Sequence, residues 1–220
     1  MRFKIAILPG DGIGGEIIPE SVKVLNKVGS KFEHEFEFDY GKIGGNAIDE
    51  VGTPLPSETL KLCEDSDGIL FGAVGGPKWD DMNAKIRPED GILLLRKSME
   101  LFANLRPIKI FPALSSASPL KEELVKDVDM VIVRELTGGL YFSQPKKRWV
   151  DDGQRHGVDT LEYSEFEISR ILRVGFELAK TRRSKLTSAD KANVLETGRL
   201  WGELAIEISK DYPEVEINHM

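Results

Sequence analysis

A short apolar run that feeds straight into spaced glycines constrains this chain more than any other feature. Residues 3–8 are apolar apart from Lys4. The stretch that follows, ILPGDGIGGEI, sets Gly10, Gly12 and Gly15 in the spacing G-x-G-x-x-G. A run of this length reads as a buried strand, and glycines after it permit a tight turn into a helix. The helix is predicted over residues 16–28, on the apolar positions Ile17, Val22, Val24, Leu25 and Val28. A second strand follows over 32–40, FEHEFEFDY (its leading Lys31 excluded). Phe32, His34, Phe36 and Phe38 take one face; Glu33, Glu35, Glu37 and Asp39 take the other. The acidic row is expected to be a solvated face, and His34 a packed histidine. A helix over 54–65 and a buried strand over 68–74, GILFGAV, complete the alternation. Strand and helix in turn imply a parallel sheet. A Rossmann loop also calls for an acidic residue about 20 positions on, and Asp39 stands 24 residues past Gly15. Plain tight turns use glycine too, so the spacing leaves both readings open.

Further along, GGPKWDD is expected to be a loop, 91–103 a helix, and NLRPIKIF (104–111) an extended edge segment, given Pro107 and Pro112. DMVIVREL (129–136) is another apolar strand. Periodicity is lost over 137–163. There Trp149, Val150, Val158, Leu161 and Tyr163 suggest an extended arm that packs on a partner subunit, with His156 a surface residue. Ser164 and Glu167 form a capping box for the next helix. A strand in SKLTSAD, a helix over 194–209 and the segment VEINHM follow.

The formal net charge is −7 with no basic stripe, which argues against a nucleic-acid partner. A single cysteine, Cys63, rules out an internal disulfide and fits a reducing compartment, and its helical setting predicts a packed thiol. No apolar stretch approaches the roughly 18 residues of a membrane span, and no signal peptide is visible. The expectation is a soluble cytoplasmic protein that does not engage membranes.

The chemistry is concentrated downstream of the glycines. In PEDGILLLRK, Glu89, Ile92, Leu93 and Arg96 share one helical face. That face suits a ligand with a carboxylate and a hydrocarbon branch, although an amphipathic helix would show the same stripe. Arg106 lies in an extended segment and Arg134 near the end of a buried strand. Arginine is the natural bidentate clamp for carboxylates, so three of them could neutralise a dicarboxylate. Tyr141, seven residues after Arg134, and Lys191, at the start of DKANVLET, are side-chain types that can serve as acid and base beside bound carboxylates.

Together, LPGDGIG, GAVGGPKWD, LLLRKSMELFANLRP, VIVRELTGGLYF and DKANVLET resemble the β-decarboxylating dehydrogenases, the isocitrate/isopropylmalate dehydrogenase family, in the family's order and along the whole chain. The resemblance implies a two-domain α/β fold with parallel or mixed sheets flanked by helices, and not a Rossmann fold. It implies a first domain over 1–103, on the cofactor side, and a second over 104–220, with a dimer arm at about 144–163. NAD and Mg²⁺ or Mn²⁺ are the implied cofactors, and a homodimer the implied assembly. Arg96, Arg106 and Arg134 would hold the malate carboxylates. Ile92, Leu93 and Val194 would form the isopropyl pocket. Ile13, Gly76, Pro77, Lys78, Glu89 and Asn193 would lie near the cofactor, and Tyr141 and Lys191 would be the acid and base. The implied reaction is oxidative decarboxylation of 3-isopropylmalate to 2-oxoisocaproate in leucine biosynthesis. Tartrate, malate or homoisocitrate would be the alternative substrates, since one branch in a pocket is worth only about 1–3 kcal/mol.

Three departures from the family pattern stand out. Gly15 occupies a position where relatives usually carry proline. Ser143 and Gly198 stand where glycine and serine are common. Family members also continue past the equivalent of VEINHM into metal-binding aspartates and a segment for the adenosine half of NAD. The expectation is therefore an incomplete chain that is inactive by itself, an N-terminal part without metal ligands.

Overall fold

The computed structural model describes residues 1–220, the Ser116 side chain excepted. The chain forms two compact units, Met1–Glu100 and Leu101–Met220. The first holds β1 (Arg2–Gly10), α1 (Gly14–Phe32), β2 (Glu35–Tyr40), α2 (Gly45–Val51), α3 (Ser57–Glu64), β3 (Gly68–Ala73) and α4 (Pro88–Ser98). The second holds β4 (Ala103–Lys109), α5 (Glu122–Val125), β5 (Asp129–Glu135), β6 (Lys146–Asp151), β7 (Gln154–Asp159), α6 (Glu165–Lys180), β8 (Lys185–Ser188), α7 (Glu196–Ser209) and β9 (Glu216–His219).

In the first unit the sheet runs β2-β1-β3, all parallel. Its central strand carries the fully buried Ala6, Ile7 and Leu8. Ala6 and Leu8 join Ile43, Leu55, Cys63 and Leu95 in one core. Cys63 is the packed thiol expected of it, and burial pushes its pKa up. In the second unit β4 and β5 form an antiparallel ribbon, β6 and β7 a hairpin, and β8 and β9 a parallel pair. Its core is α6 against α7, around Ile168, Phe176, Leu204 and Ala205. Ser164 caps α6 and forms the expected reciprocal box with Glu167. Among the described residues no helix is long and apolar enough to cross a membrane.

Several sequence expectations shift. Strand β2 begins at Glu35, because Phe32 ends α1 and Glu33 closes it in the left-handed region at φ 56°. His34 lies edge-on to Phe3 at 5.7 Å, and Arg2 meets the acidic row through Glu37 at 3.1 Å. The helix expected over 91–103 starts earlier, with Pro88 in its first turn, and ends at Ser98. The helix expected from Val194 starts at Glu196. Helix α2 had no prediction at all. Its first N–H groups are capped from 34 and 35 residues away, by the Asp11 carboxylate, so nothing local marks it.

Candidate active site

The glycine turn is built around Asp11, which is 1% exposed. One Asp11 carboxylate oxygen accepts the N–H of Gly45 at 2.7 Å and of Gly75 at 2.8 Å; the other accepts that of Asn46 at 2.8 Å. The first N–H groups of α1 are also engaged: Gly14 donates to Asp11 O, Gly15 to Gly12 O, and Glu16 and Ile17 to Ile13 O. A pyrophosphate grip needs free N–H donors at a helix start. Here those donors are used, and both Asp11 and Glu16 supply negative charge. The spacing of glycines tells the same story. In a Rossmann loop the third glycine must be bare for helix and strand to pack closely. At Gly15 a Cβ would meet nothing within 4 Å, whereas at Gly14 it would sit 1.9 Å from Pro9 O. The close-packing glycine is one position out of register, so the opening motif is a turn and not a dinucleotide loop.

The segment after β3 forms a cleft of about 430 Å³, lined by Gly76, Pro77, Trp79, Met82, Arg87 and Glu89 among others. Its loop is tied to α2. Lys78 Nζ bonds Asp49 at 2.5 Å, the Trp79 indole N–H donates to Asp49 at 3.2 Å, and both hold that carboxyl below its usual range. The indole lies so close over Gly45 that a Cβ there would be 2.3 Å from the ring. Glu89 reaches back over Gly75, where a Cβ would be 2.6 Å from its carboxylate oxygen. Ile13, at the start of α1, is 56% exposed.

Helix α4 turns Pro88, Gly91 and Leu95 inward, and Gly91 packs against Pro54 O too closely for any side chain. Glu89, Ile92, Leu93 and Arg96 are thereby rotated off the core face, and Ile92, Leu93 and Arg96 are half-buried. Their stripe is not the face that Pro88, Gly91 and Leu95 bury.

In the second unit the register of β4 and β5 pairs Asn104 with Arg134 and Arg106 with Ile132. Directly paired residues share a face, as do residues two apart on one strand. Arg106 and Arg134 are therefore diagonal neighbours on the same side of the ribbon. Arg134 donates to the Tyr141 hydroxyl at 2.6 Å, and its guanidinium lies 5.4 Å from the ring centroid. Tyr141 is 46% exposed. Lys191 sits in a turn ahead of α7 that is held by Asp190, whose carboxylate accepts from Ala192 N at 2.9 Å. Arg199 donates to Ala192 O at 3.1 Å. A Cβ on Gly198 would come within 2.7 Å of Lys191 C, so that helix residue must be bare for the turn to lie where it does. Lys191, Asn193 and Val194 are exposed. Sequence reasoning missed Asp11, Asp49, Glu135, Asp190 and Arg199. Only the GD dipeptide and the charge ending an apolar strand in REL hinted at the first and third.

Among the described residues no three His, Cys, Asp or Glu side chains converge on a point that could hold a metal ion. The cleft at Gly76–Glu89 has the size and mixed lining of a small-ligand site. Its lining sets Gly76 and Pro77 beside the carboxylates of Asp80, Asp81 and Glu89.

An α/β protein that sets arginines and a tyrosine on an open ribbon, with a glycine turn that grips no phosphate, has the make-up of a β-decarboxylating dehydrogenase rather than of a Rossmann enzyme. Residues 4–220 match the isocitrate/isopropylmalate dehydrogenase family, and the chain belongs to that family. It is 56% identical over its whole length to 3-isopropylmalate dehydrogenase of Bacillus subtilis (strain 168) and 58% identical to that of Geobacillus kaustophilus (strain HTA426). It spans 60% and 59% of those two relatives. Among solved structures it is similar to isocitrate dehydrogenase from Methylococcus capsulatus, with a TM-score of 0.82 and 29% identity over 99% of this chain and 60% of that one. A β-decarboxylating dehydrogenase from Thermococcus kodakarensis matches with a TM-score of 0.69 and 32% identity, over 99% of this chain and 57% of that one.

Proposed function

We propose that the protein carrying this chain oxidatively decarboxylates 3-isopropylmalate to 2-oxoisocaproate with reduction of NAD, in leucine biosynthesis. The observation that carries the reading is the Arg134–Tyr141 contact of 2.6 Å, on the face of the ribbon that also bears Arg106. It joins carboxylate-binding cations to a proton donor. The relatives' names support the substrate. Arg96, Arg106 and Arg134 bind the two carboxylates, and Ile92, Leu93 and Val194 take the isopropyl branch. Ile13, Gly76, Pro77, Lys78, Glu89 and Asn193 serve the nicotinamide side. NAD⁺, when bound, supplies the hydride acceptor. Lys191 takes the proton of the 2-hydroxyl as hydride leaves C2. After CO₂ departs, the Tyr141 hydroxyl gives its proton to the carbon left behind, and Arg134 stabilises the resulting phenolate. The divalent ion, Mg²⁺ or Mn²⁺, belongs to the same reading, but no described residue is assigned to it. The β6–β7 hairpin, with Trp149 stacked on His156 and Val150 exposed, is the proposed dimer arm, and the cytoplasm the proposed location.

The test is NADH formation over a panel of 3-isopropylmalate, isocitrate, tartrate, malate and homoisocitrate, with thermal shift of residues 1–220 as a readout independent of turnover. A preference for 3-isopropylmalate that Leu93→Ser abolishes is the expected result. Preference for another acid would move the reading to that substrate and leave the family untouched.

A further inference from the structure

Behind the Arg134–Tyr141 pair lies a buried carboxylate that the proposed reaction does not use. Glu135 follows Arg134 in β5, so its side chain points to the opposite face. That side chain is 2% exposed. One oxygen accepts the Thr137 N–H at 2.9 Å and the Thr137 hydroxyl at 2.8 Å; the other accepts the Gly138 N–H at 3.0 Å. The Tyr163 phenol lies beside the same carboxylate. Arg170 pairs with it at 3.6 Å and donates to the Thr137 hydroxyl at 2.5 Å. Arg170 is itself sandwiched, 4.5 Å from the Phe102 ring centroid and 5.0 Å from that of Phe166.

These contacts converge on one short turn. A Cβ on Gly138 would be 2.8 Å from the Tyr163 ring, and one on Gly139, at φ +63°, 2.5 Å from its hydroxyl. The turn is thus pressed flat on Tyr163 from one side and tied by its amides to Glu135. Gly139 N donates to Glu162 O at 3.1 Å, and the Ser143 hydroxyl donates to Gly139 O at 2.8 Å. Two residues after Gly139 the chain reaches Tyr141. These bonds hold the backbone from which the Tyr141 side chain departs toward Arg134.

We propose that Glu135 is a positioning residue. Held by Thr137, Tyr163 and Arg170, it fixes the 136–139 turn and so sets the Tyr141 hydroxyl on Arg134. The inference rests on the proposed role of Tyr141 for its meaning but not for its test, which needs no substrate.

The experiment uses residues 1–220 labelled with 3-fluorotyrosine, the Tyr141 signal being assigned by Tyr141→Phe. In the parent chain Arg134→Lys is expected to shift the Tyr141 ¹⁹F resonance, because the bonded guanidinium is lost. In Glu135→Gln, folded as judged by circular dichroism, the Tyr141 resonance is expected near the position of free fluorotyrosine, and adding Arg134→Lys should move it no further. A merely structural Glu135 would lower the melting temperature and leave that coupling intact. Should Glu135→Gln fail to fold, Tyr163→Phe removes a single oxygen from the carboxylate's shell and is expected to move the resonance in the same direction. A Tyr141 signal unchanged in the folded variant, or full Arg134→Lys sensitivity retained in it, overturns the proposal. If turnover assays fail but this coupling is seen, the positioning role stands and only the reaction assigned to Tyr141 falls.

Discussion

Gly14 and Gly15 are adjacent in α1, and replacing each with alanine should have opposite effects. At Gly15 the new methyl enters open space, and φ there is not positive. Glycine in a helix costs roughly 0.5–1 kcal/mol relative to alanine, chiefly through the freedom of the unfolded chain. Gly15→Ala should therefore stabilise by about that amount. At Gly14 the methyl would lie 1.9 Å from Pro9 O and 3.0 Å from Ala73 N. Both atoms are backbone in the central sheet, so relief means separating α1 from β1 and β3. Forced packing of this kind costs about 1–3 kcal/mol and sometimes more. For a chain of this size each kcal/mol moves the melting temperature by about 2–4 °C. Thermal melts by circular dichroism should thus place Gly15→Ala about 1–4 °C above the parent and Gly14→Ala several degrees below it. If Gly15→Ala is as damaging as Gly14→Ala, the third glycine of the motif is the packing glycine after all. The argument against a dinucleotide loop would then be refuted.

Three further outcomes are expected. Asp11→Ala strands the buried N–H of Gly45 and the part-buried N–H groups of Asn46 and Gly75; at roughly 1–3 kcal/mol for one unsatisfied buried donor, urea unfolding should show a loss of at least about 1 kcal/mol. Burial, and then the Glu135 carboxylate, raise Tyr163 from 10.0 to about 12. The folded chain thus holds that proton more tightly, and the associated stability is complete below pH 10 and lost as pH rises through about 12. It amounts to at most about 2–3 kcal/mol, and the urea midpoints of the parent and Tyr163→Phe should converge across that alkaline range. Gly198→Ser introduces a Cβ against the Lys191–Ala192 backbone. It should destabilise the chain despite serine's better helix propensity, and hydrogen exchange should show the amides of Val194 and Leu195 less protected.

How much was legible follows from where each signal lives. The strands β1, β3 and β5 and the capped start of α6 could be read because apolar runs and the Ser164–Glu167 box are local in sequence. Side-chain type is local too, so the arginines, Tyr141 and Lys191 could be picked out by their chemistry and by the family motifs around them. The supports behind those side chains could not. Asp11 meets its three amide partners 34, 35 and 64 residues away, Glu135 meets an arginine 35 residues on, and Trp79 lies on a glycine 34 residues back.

The sequence alone determined which chemical groups are available, where most strands fall, and to which family the chain belongs. All three are properties of residue identity and short spacing. Tertiary structure alone decided that Asp11 builds the glycine turn, that Ile92 and Leu93 are rotated off the core, and that one buried carboxylate ties the tyrosine turn. Those facts depend on interatomic distances of 2–3 Å between segments far apart in the chain. Van der Waals contact and hydrogen bonding act over just such distances, and linear order does not record them.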